Sequence, residues 1–251
     1  MYYGLYMSAA GAHSQSQKLE VLSNNLANVD TVGFKKELAL LEASDSESIQ
    51  QGLDARGSGT LNDVGGGVEM NRTATDYRVG TLRSTGIPTD FALENPNAFF
   101  VVQRGQDQLL TRAGNFHLAS DGRLLTQDGD PVLSTDNTPI QLDPALPWRA
   151  LPGGIIEQGG DARELAVRQA NDLSKLRKAG QNYFQPLPRG TQTVAAEERR
   201  VRQGFLEMSS VNPVQEMVEL IAASRTHEMN VRMIQHHDGM TGSLVNRLLK
   251  V

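Results

Sequence analysis

Apolar positions along this chain fall into two regimes, helical at both ends and strand-like between them. Over residues 1–28, Leu5, Ala12, Leu19 and Leu26 stand seven apart, and Met1, Ser8, Gln15 and Leu22 fill the intermediate seam positions. That spacing predicts an amphipathic helix. Ser8 and Gln15 weaken its seam, so its stability has to come from neighbours rather than from propensity. The pattern stops near Asn28, where Asp30, Thr31 and Gly33 supply turn chemistry, with Gly33 expected at positive φ. A second helix is predicted over 212–250. Asn212 reads as its N-cap, Pro213 fits the first helical position, and Gln215 sits three past the cap. Leu220, Ala223, Ile234, Thr241, Leu244 and Leu248 form a sparse heptad seam. Gly239 and Gly242 each cost roughly 1 kcal/mol relative to alanine, so this helix also needs neighbours.

The middle reads as β. Phe99–Val102, Leu109–Thr111, Phe116–Leu118, Leu124–Thr126 and Pro131–Leu133 are short apolar runs. Arg104-Gly105-Gln106-Asp107, Ser120-Asp121-Gly122 and Gln127-Asp128-Gly129 separate them. Asp-Gly between apolar runs is a strong hairpin signal, so an antiparallel meander is expected, closing as a small barrel or sandwich. Residues 143–160 are punctuated by Pro and Gly, and two further strands are expected around Glu164–Gln169 and Tyr183–Gln185. The fold class is α+β: terminal amphipathic helices form a coiled-coil-like assembly domain around a central, mainly antiparallel β domain. The expected division is 1–41 helical, 42–67 a flexible Gly/Ser-rich connection ending in Gly65-Gly66-Gly67, 68–200 β, and 201–251 helical. A chain with needy helices at both ends points to packing into an assembly.

Composition narrows the functional classes. The net charge of −5 is spread without a like-charge block, which argues against a nucleic-acid partner, since counterion release needs a basic surface. With no cysteine there are no disulfides, thiolate nucleophiles or cysteine metal sites. The N-terminus carries no basic residue before Lys18, unlike a secretory signal, and no run is long enough to cross a membrane.

Candidate chemistry is sparse. His227-Glu228 opens like a zinc-protease helix, but Val231 stands where the second histidine belongs, and the adjacent His236 and His237 point about 100° apart on a helix. Asp121, Asp128 and Asp130 lie in predicted hairpin turns whose spacing does not match a calcium loop. Gly65-Gly66-Gly67 lacks the Lys-Ser/Thr of a phosphate loop. No catalytic site, cofactor, metal or small-molecule substrate is expected. The competing classes are a hydrolase drawing on His117, Asp121 and Asp128, and a coiled-coil adaptor that dimerises through its ends. Arg225, Glu228 and Arg232, at three- and four-residue spacing, read equally as an exposed ion-pair ladder or as contacts to neighbouring subunits.

Two motifs add a family resemblance. Asn24-Asn25-Leu26-Ala27-Asn28-Val29-Asp30-Thr31-Val32-Gly33-Phe34-Lys35 resembles the N-terminal signature of the flagellar rod and hook axial proteins. Gly204-Phe205-Leu206-Glu207-Met208-Ser209-Ser210-Val211-Asn212-Pro213-Val214-Gln215-Glu216-Met217, running on to Ile221, Arg225, Glu228 and Asn230, resembles that family's C-terminal signature. Leu110–Phe116, Asp121-Gly122 and Leu124 resemble its β domain. Length and the single small β domain look most like the proximal rod members, with the distal rod members as the alternative, and leave no room for the outer domains of a hook protein. The resemblance implies a non-enzymatic subunit of the basal-body rod. It also implies export through the flagellar type III apparatus without a cleaved signal, and polymerisation with itself and other rod subunits through terminal helices that order on assembly.

Overall fold

The computed structural model describes residues 2–55, 57–60, 65–151, 153–180, 182–186 and 190–248. Met1 of the predicted seam, and residues 56 and 61–64 of the predicted connection, lie outside them. The chain divides into two compact units, one formed by 1–26, 37–74 and 212–251, the other by 27–36 and 75–211.

The first unit holds the long helices α1 (Tyr2–Ala27) and α3 (Pro213–Leu248), a one-turn helix α2 (Glu47–Gln50), and a two-stranded ribbon of β1 (Glu37–Asp45) and β2 (Gly65–Thr75). The Asn212 carboxamide oxygen accepts from the backbone N–H groups of Val214 (3.1 Å) and Gln215 (3.3 Å), satisfying donors that a helix start leaves orphaned. Residues 42–67 carry the end of β1, α2 and the start of β2. The glycine triplet has a packing role there. A methyl group on Gly66 would fall 2.0 Å from the Asp45 carbonyl oxygen, and one on Gly67 3.2 Å from the Ala10 side chain on α1. Only a strand start without side chains can lie this close to both.

The second unit is β. Its strands are β3 (Leu82–Ser84), β4 (Phe91–Leu93), β5 (Ala98–Arg104), β6 (Asp107–Thr111), β7 (His117–Leu118), β8 (Leu124–Leu125), β9 (Trp148–Leu151), β10 (Ile155–Gln158), β11 (Asp161–Glu164), β12 (Val167–Ala170), β13 (Arg177–Lys178), β14 (Tyr183–Gln185), β15 (Thr191–Thr193), β16 (Val201–Gln203) and β17 (Phe205–Glu207). Six of them form an antiparallel sheet in the order β13-β14-β6-β5-β12-β15, and β11-β10-β9 form a second sheet. Pairs β16–β4, β17–β3 and β7–β8 stand apart. The unbroken apolar run Ala98–Val102 explains why β5 lies at the middle of the large sheet. Phe100 and Val102 join one core cluster while Phe99 and Val101 join another, so both faces are buried.

Two expectations are corrected. The large sheet is open, with edges at β13 and β15, and not a closed barrel. The meander ends after one hairpin: β6 pairs with β14, Tyr183 facing Thr111, and β5 takes β12 as its other neighbour. The run 131–133 forms only isolated bridges. Turn residues specify local hairpins, whereas closure and the β6–β14 pairing join segments some seventy residues apart, about which turn chemistry says nothing.

Candidate functional site

Within the first unit, α1 and α3 run antiparallel, and their contacts pair small residues of one with polar residues of the other. A methyl group on Gly4 would sit 3.0 Å from the His237 ring, and one on Gly11 3.1 Å from the Asn230 amide nitrogen. His227 Nδ1 lies 3.0 Å from the Ala12 carbonyl oxygen, and Asn25 Nδ2 donates to Glu216 Oε2 at 3.4 Å. Gly4, Gly11 and Asn25 are seven and fourteen residues apart, and so are their partners His237, Asn230 and Glu216 in reverse order. A heptad period therefore governs the pair, with glycines letting the helices approach.

Of the seam residues singled out by spacing, Ala12, Leu22 and Ala223 are buried, Leu5, Leu19, Leu26, Leu220 and Ile234 half-buried, and Leu244 and Leu248 exposed. The polar partners Asn230 and His237 were not singled out for the seam, nor were Gly4 and Gly11. The signal was present as two glycines one heptad apart. Asn25 is fully buried because its carboxamide reproduces a strand partner for Glu37, donating to its carbonyl at 2.8 Å and accepting from its N–H at 2.9 Å. Met217, Ile221, Arg225 and Glu228 lie exposed on α3, and Glu228 pairs with Arg232 at 3.9 Å. That pair is worth tenths of a kcal/mol at most.

In the second unit, three signature segments meet. Gly33 has φ +69 and donates its N–H to the Glu207 carbonyl at 2.8 Å. Phe34 is buried, with the Lys178 ammonium 4.4 Å from its ring centroid. Ser210 donates its N–H to the Phe34 carbonyl at 3.1 Å. Asn28 is buried and accepts from the Thr31 hydroxyl at 3.2 Å, which fixes the turn. Lys35 Nζ donates to Glu207 Oε1 at 2.6 Å and to the Arg78 carbonyl at 2.7 Å. Arg112 Nη1 lies 3.5 Å from Glu207 Oε2, an ion pair rather than a hydrogen bond. The side chains of Lys35 and Arg112 are 0 % exposed and that of Glu207 1 %. Two buried cations thus share one carboxylate. Burial pulls the Lys35 amine below its ordinary value; Glu207 opposes that shift and Arg112 adds to it. Burial likewise lowers Arg112, whose Nε and Nη2 have no hydrogen-bond partner among the described residues and whose guanidinium carbon lies 5.3 Å from the Phe99 ring centroid.

A cavity of about 530 Å³ opens beside the motif turn, lined by Asp30, Thr31, Asn115, Asp128, Asn182 and Tyr183 among others. Its groups are tied to one another. Asp128 pairs with Arg104 at 3.1 Å, Arg104 stacks 4.2 Å from the Tyr183 ring centroid, and the Tyr183 hydroxyl, pushed up to about 12 chiefly by burial, donates to Thr126. Asp121 is held by Arg123 at 2.6 Å, and His117 is exposed on β7. No His, Asp and Glu cluster suited to a metal occurs among the described residues. Nor is any helix among them long and apolar enough to cross a membrane.

Comparison with known proteins gives this geometry its context. Residues 5–35 match the family described as flagella basal body rod protein. Residues 95–169 match the flagellar hook protein FlgE/F/G D1 domain, and 202–248 the flagellar basal body rod FlgEFG protein C-terminal family. The flagellar basal-body rod protein FlgF of Caulobacter vibrioides is 32% identical over 252 residues, covering 98% of both chains. The chain belongs to the flagellar basal-body rod family. The rod protein FlgG of Bacillus subtilis is 30% identical over 262 residues, covering 98% of this chain and 99% of its own. FlhO of the same organism, a flagellar hook-basal body complex protein, is 28% identical over 271 residues covering all of both. The chain is a structural rod subunit of the flagellar basal body, not an enzyme. The buried charge cluster falls inside matched segments, and the helix pair does so from Leu5 onward, with Gly4 just outside. Gly33 and Lys35 lie in the first, Arg112 in the second and Glu207 in the third, while α1 and α3 belong to the first and third.

Proposed function

We propose that this subunit polymerises through α1 and α3 into the helical axial shaft of the rod, contacting itself and other rod subunits. One observation supports this above others. The α3 face turned away from α1 carries Val214, Val218 and Ile221 at 66 %, 62 % and 51 % exposure. Apolar surface in such a stripe is usual where another protein docks. In this reading Leu5, Leu19, Leu22 and Leu26 pack with Ile234, Leu244 and Leu248 within and between subunits, in a coiled-coil-like layer. Heterologous, non-closing contacts then generate a filament. The division into helical assembly segments at 1–41 and 201–251, a connection at 42–67 and a β domain at 68–200 belongs to the same proposal. So does export through the type III apparatus without a cleaved signal, which brings the subunit to the periplasmic side. The proximal rod is the position favoured by length and the single small β domain, and the distal rod is the alternative.

Electron microscopy of an in-frame deletion strain tests this reading. Hooks and filaments should vanish and return with the intact gene; normal flagella in the deletion strain would refute it. A Leu19→Asp subunit should be stable and fold its β unit, reported by the fluorescence of Trp148, the sole tryptophan, yet fail to enter the rod. Normal incorporation of that variant would remove Leu19 from the seam.

A further inference from the structure

The glycines of the α1–α3 seam leave its register open. Gly4 and Gly11 stand one heptad apart, and so do the planar polar side chains they face, His237 and Asn230. Sliding α3 by one heptad, about 10 Å, sets Gly11 against His237 in one direction and Gly4 against Asn230 in the other. Either slide again puts a glycine against a planar polar side chain. The His227 contact with the Ala12 carbonyl adds no choice, because every turn of a helix carries carbonyls. Small residues let the helices approach, and their repeat permits more than one alignment.

One contact of the pair does not repeat. Asn25 and Glu216 are both 0 % exposed, and Asn25 Nδ2 donates to Glu216 Oε2 at 3.4 Å. The Asn25 carboxamide cannot turn to another partner on α3, since the Glu37 backbone holds it at 2.8 and 2.9 Å. The first slide leaves Asn25 opposite Ala223 and carries Glu216 past Ala27, the last residue of α1. The second leaves Asn25 opposite Ser209, outside α3, and sets Glu216 against Lys18. In both, a buried amide N–H loses its acceptor on α3, a desolvation cost that an apolar seam residue does not incur.

We propose that Asn25 and Glu216 are the register-determining pair of the two helices. One buried amide and one buried carboxylate, 191 residues apart, select a single alignment from a seam whose glycines allow several. Fixing register is the best-attested use of a polar group inside a repetitive seam. The selection acts within one chain and needs no second subunit, so it stands apart from the assembly reading above. Asn25 lies in the first matched segment and Glu216 in the third, and the two signatures share this task.

The chain has no cysteine, so introduced cysteine pairs read the alignment. Gly11→Cys/Asn230→Cys reports the native register, since the Asn230 side-chain carbon lies 3.3 Å from a methyl on Gly11, within reach of a disulfide. Gly11→Cys/His237→Cys and Gly4→Cys/Asn230→Cys report the two slides. In the native register each of those pairs is about 10 Å apart along the helices, too far to close. Each pair is placed in the purified full-length chain, oxidised, and scored for intramolecular disulfide by peptide mass spectrometry. In the parent the slid pairs should close at least about tenfold less than the native pair, as a preference near 1.4 kcal/mol gives. Glu216→Leu leaves the Asn25–Glu37 bonds intact and fills the site with an apolar side chain, so the slid pairs should close about tenfold more than in the parent. Glu216→Gln keeps an acceptor for Asn25 and should return them to the parental yield. Asn25→Asp, isosteric but repelling Glu216, should release the slid pairs by a second route, which covers a loss of helix content in Glu216→Leu. Slid pairs that stay open in Asn25→Asp, or in a helical Glu216→Leu, would overturn the proposal and leave the register to the chain connections at 27–36 and 208–212. Equal closure of native and slid pairs in the parent would overturn it too. So would slid pairs that close in Glu216→Gln, by showing that the hydrogen bond to Asn25 selects nothing.

Discussion

Replacing Glu207 by alanine is expected to destabilise the β unit by about 3–5 kcal/mol, the range for stripping one partner from a buried ion pair. The effect is large because of what remains. Lys35 and Arg112, whose side chains are 0 % exposed, would be left as two buried cations without an anion. Lys35 would keep the Tyr77 and Arg78 carbonyls, and Arg112 only the Leu93 carbonyl at 3.3 Å and the Phe99 face. Gly80 would also lose its backbone bond to Glu207 Oε1 at 2.9 Å. Against a typical domain stability of about 5–15 kcal/mol, this is enough to leave part of the population unfolded. Trp148 packs against the core of the same unit, so its fluorescence in a urea titration reads the change directly. Replacing all three together, Lys35→Met, Arg112→Met and Glu207→Leu, should recover most of the loss, because an apolar cluster of similar volume leaves no charge unpaired. A midpoint for Glu207→Ala within about 1 kcal/mol of the parent would mean that water or local rearrangement neutralises the cations.

Gly33→Ala should cost nearly as much, for a steric reason. At φ +69 any side chain is strained by roughly 1–2 kcal/mol. A methyl group there would also lie 2.5 Å from Ala113 N and from the Arg112 carbonyl carbon, and backbone atoms cannot move aside as a side-chain tip can. Overpacking of this kind adds about 1–3 kcal/mol. Separating the segments would stretch the 2.8 Å bond from Gly33 to the Glu207 carbonyl as well. Gly129 supplies the control. Its φ is +88, but nothing lies within 4 Å of an added methyl, so Gly129→Ala should show the strain alone. Equal unfolding midpoints for the two variants would show that close packing at Gly33 contributes nothing.

Residues acting on their immediate neighbours were legible in advance. The Asn212 and Pro213 helix start, the Gly33 turn, the Asp121-Gly122 hairpin and the Asp128-Gly129 turn each express a preference that a few adjacent residues decide, and the structure carries each of them, though the strand expected after Gly129 forms only isolated bridges. The two signature stretches similarly pointed to the rod family, because each is a local run of residues. The buried cluster was not legible. Lys35, Arg112 and Glu207 stand in the signature stretches but nothing there marks them as buried, and no spacing rule relates positions so far apart.

From its sequence alone, then, this protein's long terminal helices, its β middle and its place among flagellar rod proteins could be read, since periodicity, turn chemistry and motif are properties of neighbouring residues. Tertiary structure decided the rest: which face of α1 meets α3, with glycines against His237 and Asn230; which strands pair, with β6 joined to β14 in an open sheet; and which charges are buried together. These depend on contacts between segments up to about two hundred residues apart, whose free energy comes from desolvation and close packing that appear only when those segments meet.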